Sequence, residues 1–110
     1  MMLRRSLLAL IILSLAACAT APRLTKRALD DAEQQFLQGH YTEAAHQFTA
    51  LSAQASSNLR IELRLRAAAA MAKANLIPQT RETLSAAQID KNNPHQVFLY
   101  RLTESHLALA

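Results

Sequence analysis

With 110 residues, 51% of them hydrophobic and 18% charged, the chain has the length for one small domain and too little polarity for a disordered one. Its formal charge of +4 owes part to Arg4 and Arg5 at the extreme start, and no dense Lys/Arg run with interleaved aromatics follows, so a nucleic-acid footprint is unsupported. One cysteine excludes an internal disulfide or a cysteine metal set, and one glycine, three prolines and no strand-like alternation of β-branched residues point to an all-α fold.

In chain order, Arg4 and Arg5 precede the uncharged run Leu7 to Leu15, and Ala16 and Ala17 precede Cys18. Basic, apolar and then small residues are the order of an export signal. The run is too short to span a bilayer, which takes roughly 20 apolar residues as a helix. Leu15-Ala16-Ala17-Cys18 resembles the lipobox of bacterial lipoproteins. That resemblance implies a diacylglyceryl group on the Cys18 sulfur, cleavage between Ala17 and Cys18, acylation of the new amino group, and hence a lipid bilayer as partner. Each buried methylene contributes about 0.8 kcal/mol and two chains already anchor stably, so such a cysteine stays in the membrane. Ala19, in place of Asp, implies by the sorting rule of such lipoproteins the outer membrane, facing the periplasm. Residues 1–17 are then a signal peptide, and the 93 that remain carry 10 basic and 8 acidic side chains, a formal charge of about +2.

Residues 18–24 read as a lipidated tether and 25–110 as the helical domain. Thr25 is placed to cap a first helix with Leu29, Ala32 and Phe36 on one face, and Asp30 and Asp31 read as its acidic first turn. Gly39 stops it by supplying a positive φ without steric penalty. Thr42 is expected to cap a second helix, with Glu43 in its first turn and Ala44, Phe48, Leu51 and Ala55 as its apolar stripe. Ser56-Ser57-Asn58 offers caps for a longer third helix, Leu59 to Ala74. It carries two stripes, Leu59-Leu63-Ala67-Ala70-Ala74 and Ile61-Leu65-Ala68-Ala72, and therefore has neighbours on two sides. Glu62 lies four before Arg66 in the favourable ion-pair order, and Lys73 suits the last turn. Asn75 replaces the stop glycine, Pro78 fits the first turn of a fourth helix with Leu84 and Ala87, and Asn93, Pro94 and Gln96 start a fifth as cap, first-turn proline and reciprocal partner. Phe98, Leu102 and Leu109 are expected on its buried face.

These segments repeat. Leu29-Ala32-Phe36 recurs as Leu65-Ala68-Ala72 after 36 residues and as Leu102-Ser105-Leu109 after 37 more, while Ala44-Phe48-Leu51 recurs as Thr80-Leu84-Ala87 after 36. Gly39-His40-Tyr41-Thr42-Glu43-Ala44 with Phe48 resembles the middle of a tetratricopeptide repeat, in which the glycine turns the chain, the tyrosine packs between helices and the alanine lets them approach. The second copy has Asn75, Ile77 and Thr80 at those places, and neither copy has the tryptophan of the first helix. The expected architecture is a set of about five antiparallel, tetratricopeptide-like helices.

A lipobox, then Ala-x-x-x-Phe-x-x-Gly-x-Tyr-x-x-Ala-Ala-x-x-Phe from Ala32 to Phe48, then an Arg- and Ala-rich helix, resembles the amino-terminal part of the penicillin-binding protein activator lipoproteins. The resemblance implies an outer-membrane regulator of peptidoglycan synthesis whose partner is a class A penicillin-binding protein. In that family a carboxy-terminal domain makes the activating contact, and nothing here corresponds to it, so this chain reads as a truncated, helical part that binds without fully activating. A generic scaffold lipoprotein of barrel assembly or pilus biogenesis is the alternative.

No catalytic constellation competes: His40, His46, His95 and His106 lack a second ligand at metal spacing, and there is no phosphate loop or nucleophile elbow. Neither an enzyme nor a cofactor is expected. In tetratricopeptide arrays the face made by the first helices holds the ligand, and here it would offer Lys26, Glu33, Glu62 and Lys73.

Overall fold

The computed structural model describes residues 23–109, and they form five α-helices and no strand. These are α1 (Lys26–Leu37), α2 (Tyr41–Ser52), α3 (Ser57–Lys73), α4 (Ile77–Ala86) and α5 (Pro94–Ala108). Short turns fold them into antiparallel hairpins, with α3 as the hub that packs against α2, α4 and α5. The expected signal peptide, the expected cleavage site between Ala17 and Cys18, and most of the expected tether lie outside the described residues.

The turns are built from the residues that the pattern singles out. Thr25 accepts a hydrogen bond from the Ala28 amide at 3.1 Å and so caps α1. After the last turn of α1, Gly39 at φ +81° lets the His40 amide donate back to the Gln35 carbonyl at 2.9 Å and its own amide to Phe36 at 3.1 Å. The same pair of bonds closes α3: Asn75 at φ +63°, Leu76 to Met71 at 2.9 Å, Asn75 to Ala72 at 3.1 Å. Both are Schellman turns, in which a left-handed residue satisfies the orphan carbonyls of a helix end. At the second site Asn fills the left-handed position that glycine fills at the first.

Two apolar clusters make the core. The first gathers Ala32, Ala44, Ala45, Phe48, Leu51, Ala55, Leu63, Ala67 and Ala70, and the second Leu65, Ala68, Leu84 and Ala87. The two stripes of α3 divide between them, so each side of this helix has its own partner as expected, although Leu59 at the helix start is 38% exposed. Buried alanines on α1, α2 and α3 permit close approach of the helices. Thr80 stands where the first repeat has Ala44; it is fully buried, and its hydroxyl donates to the Leu76 carbonyl at 2.7 Å, which satisfies it inside the core.

Several expectations are corrected. α2 begins at Tyr41 with His40 as its cap residue, because the Schellman turn leads directly into it; Thr42 lies inside the first turn and caps nothing. α1 begins early enough that Lys26 and Arg27 occupy its first turn, which places Asp30 and Asp31 in the second, beyond most of the dipole's reach. α3 runs Ser57–Lys73, and no side chain at its cap residue, Ser56, bonds to it.

The largest correction concerns α5. Asn93 caps it through bonds from His95 and Gln96 at 3.1 and 3.2 Å, but Gln96 does not reciprocate. Gln96 is instead fully buried, where its Oε1 accepts from the Asp90 amide at 2.8 Å and its Nε2 donates to Asn58 Oδ1 at 3.3 Å. Thr103, also fully buried, bonds to the Leu99 carbonyl at 3.0 Å. The residue of α5 that corresponds to Ala32 and Ala68 in burial is therefore Thr103, two before Ser105, with Tyr100 and Leu107 packed around the second cluster. A two-residue shift turns a helix by about 200°. Phe98, Leu102 and Leu109 consequently face out, 60%, 44% and 87% exposed.

Candidate functional site

The rotation of α5 builds a groove. Leu99 and Leu102 of α5 face Glu33, Phe36 and Leu37 of α1 across Arg66 and Ala69 of α3, with the buried Phe48 of α2 beneath. The cavity measures about 330 Å³ and is lined almost wholly by carbon. It lies on the first helices of the hairpins, where the resemblance to tetratricopeptide arrays places a ligand. Leu37, 76% exposed, and Leu102 form its rims. Each rim position has a local cause: Leu37 is the last residue of α1 before the Gly39 turn, and Leu102 is turned outward by the burial of Gln96 and Thr103.

One charged pair crosses the wall. Arg66 Nη1 reaches Glu33 Oε1 at 2.5 Å, with the two side chains 36% and 49% exposed. The i,i+4 order favours Glu62 as the partner of Arg66 along its own helix, but Arg66 turns to α1 instead, where Glu33 comes within reach. Glu62 faces α5, where its carboxylate lies 3.6 Å from His95 Nε2.

The four residues proposed from sequence thus meet different fates. Glu33 lines the groove and is held by Arg66, and Glu62 lies beside His95. Lys73 sits 5.7 Å over the ring of Tyr41, a cation–π contact, and that ring meets Phe36 edge-on at 5.3 Å between centroids. Lys26 is exposed in the first turn of α1, away from the groove. The apolar lining, Leu37, Ala69, Leu99 and Leu102, is not among the residues expected from sequence, because it comes from three helices and only Leu99 and Leu102 share a helical face. His40 Nδ1 lies 2.7 Å from Gln35 Oε1, beside the first turn, and His46 is exposed.

Chemically the groove can exclude water from an apolar side chain and offers a carboxylate and a guanidinium at its edge, without a nucleophile and base in contact. Among the described residues no group of His, Cys, Asp and Glu could hold a metal ion, and no helix is long and apolar enough to cross a membrane. No family model, curated protein or solved structure matches the chain.

Proposed function

We propose that the chain is an outer-membrane lipoprotein, anchored through acylated Cys18 and facing the periplasm, whose helical hairpins dock a partner protein of peptidoglycan synthesis. The partner is a class A penicillin-binding protein, and the chain acts as the helical, amino-terminal part of an activator lipoprotein. The groove between α1, α3 and α5 takes an apolar segment of that partner, its side chains seated against Phe36, Leu99 and Leu102. What supports docking is the uncovered groove itself, because large apolar side chains at open rims gain most when a partner removes them from water. What supports the partner's identity is the combination of lipobox and repeat motif from Ala32 to Phe48.

The test is titration of the lipidated chain in detergent against a purified class A penicillin-binding protein from the same organism. Binding is expected, together with little stimulation of glycan polymerisation. Leu102→Glu, which puts a charge at an exposed position and spares the core, should abolish binding with the helix content unchanged. Absence of binding to the synthase, or binding indifferent to Leu102→Glu, would overturn the assignment.

A further inference from the structure

We infer that the end of the domain where the chain enters is a basic surface that lies on anionic phospholipid headgroups and orients the groove away from the bilayer; this rests on the lipidation of Cys18 proposed above. Three contacts place the cations at one end. The Leu24 amide donates to Gln54 Oε1 at 2.8 Å, and the Leu24 side chain packs against the first core cluster, so the incoming chain is pinned beside the α2–α3 loop. Arg60 Nε donates to the Ala55 carbonyl of that same loop at 2.9 Å. Gln96 joins Asn58, in the first turn of α3, to Asp90, so the loop that carries Lys91 lies at this end as well.

Arg23, Lys26, Arg27, Arg60 and Lys91 are therefore gathered around the point of entry, and all five are exposed. Among the described residues the ion pairs are Glu33–Arg66 and Glu62–His95, so none of the five is neutralised by a carboxylate in contact. Three exposed carboxylates stand nearby, Asp90, whose Oδ1 accepts from the Asn92 amide at 2.9 Å, and Asp30 and Asp31 one turn further along α1, so the five cations keep an excess of positive charge at this end.

Geometry then decides what the cations meet. The six residue steps from Cys18 to Leu24 span at most about 22 Å when fully extended. The basic end is thus tied close to the headgroups, and a modest approach brings it within the screening length of about 8 Å at physiological salt. Each cation near an anionic surface strengthens association about fivefold. The groove-lining residues of α1, Glu33, Phe36 and Leu37, lie toward the far end of that helix, on the side that this orientation turns to the periplasm.

Lipidation consumes the lone cysteine, so a new one can be labelled selectively. The full chain with Asn92→Cys, at the basic end, or Thr42→Cys, at the far end, is labelled with a fluorophore and reconstituted in vesicles that carry a headgroup quencher. Mass spectrometry of the same sample reports whether Cys18 is acylated. With phosphatidylglycerol present, quenching should be strong at position 92 and weak at 42. The difference should collapse in pure phosphatidylcholine, in about 1 M salt, where the screening length is about 3 Å, and in the K26E/R27E/K91E variant, whose circular dichroism should be unchanged. Equal quenching at both positions, or indifference to anionic lipid and salt, would overturn the inference even with Cys18 acylated. A free Cys18 thiol would overturn the lipidation reading instead, and the basic surface would then stand or fall on salt-sensitive co-flotation of the full chain with phosphatidylglycerol vesicles, lost in the same variant.

Discussion

Gly39 and Asn75, 36 residues apart, hold the same left-handed backbone conformation and close their helices with the same two hydrogen bonds. This equivalence ties the two hairpins into one repeat, although the side chains around them differ. An added Cβ at Gly39 would meet nothing within 4 Å, so any penalty there is conformational and not steric crowding. Gly39→Ala should therefore lose about 1 to 2 kcal/mol, while Asn75→Gly should stay within about 0.5 kcal/mol of the parent. Urea unfolding followed by circular dichroism separates the two, and a Gly39→Ala midpoint equal to the parent's would show that the turn relaxes out of the left-handed region.

Phe48 is 2% exposed and sits where α1, α2 and α3 meet. Removing its ring should cost about 3 to 5 kcal/mol, a large part of the roughly 5 to 15 kcal/mol that holds a domain folded. Thermal unfolding of Phe48→Ala is expected to show a strongly lowered midpoint; an unchanged one would contradict the burial of the stripe from Ala44 to Ala55.

Gln96 carries a load that its helix position does not announce. Gln96→Leu leaves the Asp90 amide and the Asn58 side chain without their partner and should cost about 1 to 3 kcal/mol. Because the lost bonds join α5 to α3 and to the preceding loop, hydrogen exchange should accelerate in α5 and leave α1 and α2 protected. Uniform acceleration throughout would show that α5 does not loosen separately.

The Glu33–Arg66 pair is open to water, and its worth is correspondingly small. A double-mutant cycle of Glu33→Ala and Arg66→Ala should give a coupling below about 1 kcal/mol, reduced further by salt. A coupling several times larger would mean that the pair is shielded, for example by self-association over the groove.

Cys18→Ser should block lipid transfer and leave an uncut precursor, whereas the parent should yield an amino-terminal acylated cysteine by mass spectrometry of membrane extracts. A soluble parent chain with a free thiol would remove the anchor from the functional proposal.

Much of the domain was legible because its signals act over a few residues. Thr25, Gly39, Asn75, Pro78 and Asn93 all stand at helix ends, since capping and left-handed turns depend only on neighbours along the chain. The two stripes of α3 likewise announced packing on two sides, because helical periodicity places residues on faces before any neighbour exists. What tertiary structure alone decided is which face of a helix its neighbours take. Phe98 and Leu102 are the more apolar choice for burial in α5, yet Gln96 and Thr103 are inside, where Asp90 and Asn58 bond the Gln96 amide and the Leu99 carbonyl accepts from the Thr103 hydroxyl. The same holds for Arg66, which the i,i+4 rule pairs with Glu62 and which α1 supplies with Glu33 instead. The groove follows from these two choices: a polar group stays buried only where partners from distant segments converge on it, and sequence spacing carries no record of that convergence.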